Sequence, residues 1–231
     1  MRNRLVFIVF LSLTLAGLGV KQLSPAATSI VLATLSDLSP APLDSESQTR
    51  PSDPWSSALI TAARAQIGVT TRYNGAYVRL SYPNGDVAPE TGVCTDVIIR
   101  ALRVAHGLDL QQSVHEDMSH AFSAYPALWG LSRPDANIDH RRVPNLRRYF
   151  ERHDQSLPIS DRAADYQPGD LVTWLLAPGK PHIGIVSDRM DAQTGEPLIL
   201  HNVGAGTREQ RFLFVYPITG HYRLSSDQSS T

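Results

Sequence analysis

The sequence predicts an α+β domain in which N-terminal helices pack on a small antiparallel sheet. Three observations carry that expectation. Apolar residues recur at helical spacing between residues 54 and 153. Between residues 170 and 218 they fall instead in short β-branched and aromatic runs separated by Gly, Pro and Asp. At 231 residues and 42% hydrophobic, the chain is long enough for one well-packed domain with extensions.

The first element is "MRNRLVFIVFLSLTLAGLGV", two arginines followed by an apolar run of sixteen residues, Leu5 to Val20. That is the n-region and h-region of a secretory signal, slightly short for a bilayer span. Residues 1–27 are therefore expected to be a signal peptide, or an uncleaved anchor helped by the apolar "SIVLATL". Either way the chain is expected to be exported, to the periplasm or cell envelope. Residues 28–53 contain "SDLSPAPLDSESQTRPSD", which buries too little to fold and reads as a linker. The globular domain is expected over 54–224 and a polar tail over 225–231.

Within the domain, "PWSSALITAARAQIGV" has Ser and Pro start signals and a Gly stop. After an irregular stretch rich in Gly and Tyr comes "CTDVIIRALRVAHG", a helix with Val97, Ile98, Ala101, Leu102 and Ala105 on its apolar side and Gly107 at its end. "SVHEDMSHAFSAY" and "VPNLRRYFERH" read as two more helices, the second with Pro144 at a first helical position. Strands are expected at "DLVTWLLA", "HIGIVSD", "PLILHNV" and "RFLFVYPI", with "SDRMDAQTGEP" as a hairpin loop.

The net charge is −1, and residues 1–27 hold three basic and no acidic residues, so the remainder is more acidic still. A nucleic-acid footprint is excluded.

Cys94 is the single cysteine and opens a helix. In an oxidising compartment an odd cysteine is a reactive thiol or an intermolecular partner, with a buried apolar filler as the bland alternative. A helix N-terminus favours the thiolate, whereas Asp96 in the same turn opposes it, so Cys94 needs a histidine nearby. His106 and His153 sit at helix C-terminal ends, where a cation is favourable for structural reasons. His115 and His120 are five apart, about 140° around a helix, whereas a zinc-protease helix needs a spacing of four.

His182 and His201 both lie on expected strands. His201 shares a strand face with Ile199 and Val203, and Asn202 points the other way, so only one of the two can orient His182. His201 is favoured, with Asn202 the alternative. A cysteine, a histidine and a polar residue that sets the tautomer make a sensible nucleophilic site.

The order of Cys94 at a helix start, "YQPGDLVTW", "HIGIV" and "LILHN" resembles the NlpC/P60 cysteine peptidases of the papain-like superfamily. More closely, "YPNGDVAPETGVCTDVIIRAL", "NIDHRRVPNL", "PHIGIVSD" and "HNVGAG" with "GHYRL" resemble the bacterial DUF1287 family over residues 58–224. The resemblance implies a papain-like fold, Cys94 as nucleophile, His182 as base and His201 as third residue. It also implies an oxyanion-shaping tyrosine, to which Tyr73 or Tyr77 corresponds. Its substrate class is the peptidoglycan amide bond. Asp139, His140, Arg141 and Arg142 form a charged run read either as a salt-bridged helix start or as a clamp in which Arg141 or Arg142 holds a substrate carboxylate. No cofactor or metal is expected, and the protein is expected to be monomeric. The expected activity is hydrolysis of an envelope amide by the Cys94 thiolate, with acyl transfer or a non-catalytic envelope-binding module as alternatives.

Overall fold

The computed structural model describes residues 48–226, so the expected signal or anchor, most of the linker and the end of the tail lie outside the described residues. Helix α1, Pro54–Arg64, is capped by Asp53, whose carboxylate accepts from the N–H groups of Trp55 and Ser56. Two short parallel strands, β1 (Arg72–Tyr73) and β2 (Thr91–Gly92), bracket the irregular stretch. Strand β2 runs directly into α2, Cys94–His106, which ends at Gly107 in the left-handed region, φ 66°. Helix α3, Leu110–Ala121, begins three residues before the expected "SVHEDMSHAFSAY" because Asp109 caps it, accepting from the Gln111 N–H. A 3-10 turn at Asp139–Arg141 leads into α4, Val143–Arg152.

The six-stranded sheet is antiparallel throughout. In chain order its strands are β3 (Ser156–Leu157), β4 (Leu171–Ala177), β5 (Lys180–Met190), β6 (Pro197–Asn202), β7 (Thr207–Arg211) and β8 (Ile218–Tyr222). Their spatial order is β3-β8-β4-β5-β6-β7. Period-2 alternation divides the core. Leu171, Ile183, Ile185 and Leu200 pack under the helices with Leu59, Ile98, Leu102 and Leu146. Val172, Trp174, Val186 and Ile199 face the other way and pack with Tyr166, Phe212 and Leu213.

Two expectations need correction. "RFLFVYPI" is not a strand: Phe212 and Leu213 are buried in the turn between β7 and β8, and the Leu213 carbonyl accepts from the Trp174 indole. Burial of an aromatic plug gives the same local pattern as a strand. The real edge strand β7, "TREQR", is polar because Glu209 pairs with Arg64 and Arg189. Residues 48–50, assigned to the linker, are packed. The Met190 N–H donates to the Gln48 carbonyl at 2.9 Å, the Arg50 N–H to the Asp188 carbonyl at 2.7 Å, and the Arg50 guanidinium to the Tyr166 carbonyl. Backbone pairing at a strand end needs no apolar run, so composition does not signal it. No helix among the described residues is long and apolar enough to cross a membrane.

Candidate active site

Cys94 is the first residue of α2, and the turn that carries it is held from several sides. The Val93 N–H donates to the Asp96 carboxylate at 2.6 Å, so the third helical residue reaches back to the N-cap amide. The same carboxylate takes both arms of the Arg141 guanidinium, each at 2.9 Å, and both side chains are buried. The Thr95 hydroxyl donates to the Arg141 carbonyl, and the Asn202 amide to the Gly92 carbonyl at 3.2 Å.

The thiol is 4% exposed. Burial pushes its pKa up to about 11 and Asp96 adds to the rise, while the N–H groups of Ile183 and Thr95 and the Tyr73 hydroxyl oppose it. His182 is not among these influences, so the activated thiolate expected from a nearby imidazolium is not seen in the free protein. Iodoacetamide alkylation of Cys94 should therefore accelerate about tenfold per pH unit above neutrality and level off near pH 11. The sign follows from a folded pKa above that of a free thiol, about 8.5. A plateau below pH 8 would mean that an imidazolium does reach the sulfur.

The two histidines meet. His182 Nε2 and His201 Nδ1 are 2.8 Å apart, both rings are buried, and one nitrogen donates while the other accepts. Burial lowers the pKa of His182 to about 4, and burial together with repulsion from His182 lowers that of His201 to about 3. Both are neutral at pH 7. His201 Nε2 has no hydrogen-bond partner among the described residues. Asn202, the alternative third residue, faces away and accepts from the Gly204 N–H besides holding Gly92.

Cys94 and His182 are placed differently from the expected dyad. His182 is the cross-strand partner of Trp174, so its ring falls on the Trp174 and Phe212 face. Cys94 packs on the helix face with Ile183, the next residue along β5. No hydrogen bond joins the sulfur to His182 among the described residues; the strand backbone at Ile183 lies between them.

Cys94 opens on a cleft of about 850 Å³ that Tyr73, Pro181, Leu175 and Trp129 also line. Of the two candidate tyrosines, Tyr73 stands beside the sulfur; burial, then the Cys94 thiolate, raise its pKa well above the usual tyrosine range. Tyr77 is 60% exposed, and its hydroxyl donates to Asp135 at 3.0 Å and accepts from Asn137. Asp96 and Arg141 engage each other in a bidentate pair, so in the free protein this fork of Arg141 is occupied from within. Arg142 donates to Asp139 at 2.9 Å and lies 4.0 Å over the Trp129 ring while facing the cleft. The charged run is a salt-bridged helix start whose two arginines, Arg141 and Arg142, also line the cleft.

Sequence reasoning missed Arg147, Trp129 and Leu128, all of which line the cleft. Arg147 follows Pro144 by three on α4, so helical spacing puts the two on one face once Pro144 is known to line the wall. Trp129 and Leu128 lie outside helix and strand, where no periodicity marks them.

A family model described as "Domain of unknown function (DUF1287)" matches residues 60–224. The chain is also similar to the "Uncharacterized protein YijF" of Escherichia coli (strain K12), at 55% identity over 166 residues, which is 72% of this chain and 80% of the relative.

Proposed function

The chain belongs to the DUF1287 family, and we propose that it is an exported cysteine hydrolase with a papain-like fold of the NlpC/P60 type, cleaving an amide bond of peptidoglycan. The observation that carries this reading is Cys94 itself. It is an unpaired cysteine at a helix start, on the wall of a cleft, with its sulfur facing the N–H groups of Thr95 and Ile183 and the Tyr73 hydroxyl.

In this reading His182 takes the thiol proton as the sulfur attacks the carbonyl, then delivers it to the departing amine. Water hydrolyses the resulting thioester. The backbone N–H at Cys94 and the Tyr73 hydroxyl stabilise the oxyanion. His201 orients His182 through the 2.8 Å bond between the rings. Turnover in this reading requires more than tightening of a long hydrogen bond: substrate binding must bring the His182 ring off the Trp174–Phe212 face to reach the sulfur. The protein works as a monomer in the periplasm or envelope, with residues 1–27 cleaved or retained as an inner-membrane anchor, and capture of the acyl-enzyme by an amine would give transfer instead.

Purified peptidoglycan sacculi incubated with the protein should release fragments bearing new amine and carboxyl ends, read by mass spectrometry. His201→Ala should lower kcat about 100-fold or more, in line with loss of a base-orienting group, and Asn202→Ala by less. No release between pH 5 and 9 would remove the hydrolase reading.

A second reading, an envelope-binding module with an inert thiol, is favoured by the burial of Cys94 and its missing bond to His182. It keeps the cleft and removes the chemistry.

A further inference from the structure

The cleft has a charge pattern that the nucleophile does not explain. Three of its lining residues are arginines, Arg141, Arg142 and Arg147, and none is acidic. Arg141 is neutralised by Asp96 inside the protein. Arg142 uses one arm on Asp139 and keeps its plane against Trp129. Arg147 forms no ion pair among the described residues; its Nε donates to the Tyr222 hydroxyl at 3.3 Å, and Glu151 one turn on pairs with Arg148 instead. Arg147 therefore faces the cleft with no carboxylate paired to it among the described residues, while Arg142 beside it shares Asp139 and, at longer range, Asp135. Beside them the wall is apolar, with Leu128 65% and Leu175 41% exposed.

We infer that this wall is a carboxylate-reading subsite: Arg147, assisted by Arg142, holds a free carboxylate of the substrate while the apolar rim takes the adjoining aliphatic part. The ligand class is an acidic peptide. A guanidinium fork matches a planar carboxylate bidentately, and the Trp129 face fixes the orientation of the Arg142 plane. Arg147 is a specificity residue: it shares the cleft wall with Cys94 and takes no part in breaking the bond. The assignment rests on the reading of Cys94 as the reacting group only for which substrate end lies at the sulfur; the charge preference itself needs no turnover.

The test uses Cys94 as reporter, at about pH 9.5, where a useful fraction of the thiol ionises. Alkylation rates with iodoacetate and with iodoacetamide are measured on the full chain, and their ratio is divided by the same ratio for free cysteine. A facing guanidinium should raise the normalised ratio about tenfold. Arg147→Gln should bring it close to one, Arg147→Lys should keep part of it, and Arg148→Gln, which lies outside the cleft, should leave it unchanged; thermal melts confirm that each variant is folded. A normalised ratio of one in the wild type, or a raised ratio indifferent to Arg147→Gln, overturns the subsite. So does a folded protein whose thiol reacts with neither reagent, since the cleft then does not lead to the sulfur. Charge preference without peptidoglycan cleavage would keep the subsite and end the hydrolase reading, and cleavage without charge preference would do the reverse.

Discussion

Cys94→Ala is expected to lower peptidoglycan cleavage by about 10⁴-fold or more, the scale on which removing a covalent nucleophile acts, and to leave the fold intact. The sulfur touches the core beneath the helices, so the variant loses some packing, about 1 kcal/mol. For a domain of this size that lowers Tm by about 2–4 °C. Fragment release and a melt on the same preparation check both halves. Retained cleavage would move the chemistry elsewhere, and an unfolded Cys94→Ala would make the residue a core filler. Cys94→Ser keeps the shape and offers a hydroxyl, so it should stay folded and equally inactive.

Asp96→Ala should be the most destabilising single change near the site. It leaves the Arg141 guanidinium, itself buried, without its bidentate partner, and it frees the Val93 N–H at the start of α2. Breaking a buried pair from one side costs about 3–5 kcal/mol, or about 10 °C in Tm for a chain of this length. Removing both charges with Asp96→Ala and Arg141→Met should recover part of that loss, because an uncompensated charge is no longer buried. Urea titrations of the two single variants and the double variant measure the coupling. Additive losses would mean that the two side chains act independently, contrary to their geometry.

The sequence carries local information well, and the site depends on both local and distant pairs. Helix α2, its stop at Gly107 and the place of Cys94 at its start follow from spacing within a dozen residues. So does the placement of His201 and Asn202 on opposite strand faces, which parity alone predicts and which puts only His201 in bonding distance of His182. The partner of Asp96 is Arg141, 45 residues away, and nothing in either local pattern announces that pairing. Arg147 is cleft-facing only because α4 is docked beside Cys94, a tertiary fact. The placement of the His182 ring is a different kind of case. Parity along "HIGIV" puts His182 and Ile183 on opposite faces, but which face the helices cover is decided by packing. The plug at Phe212 and Leu213 looks like a strand in sequence because buried apolar residues in a turn have no period to betray them.

The pairing of Gln48–Arg50 with the end of β5 has a mechanical consequence. It grips the strand at Asp188–Met190, whereas His182 stands eight residues earlier on the same strand. At about 3.3 Å per residue that is roughly 26 Å of extended chain. Gln48 therefore joins the domain a full strand length along β5 from His182. A force applied at Gln48 would load β5 in shear across its neighbours β4 and β6, at the end of the strand opposite Pro181, where the cleft lies.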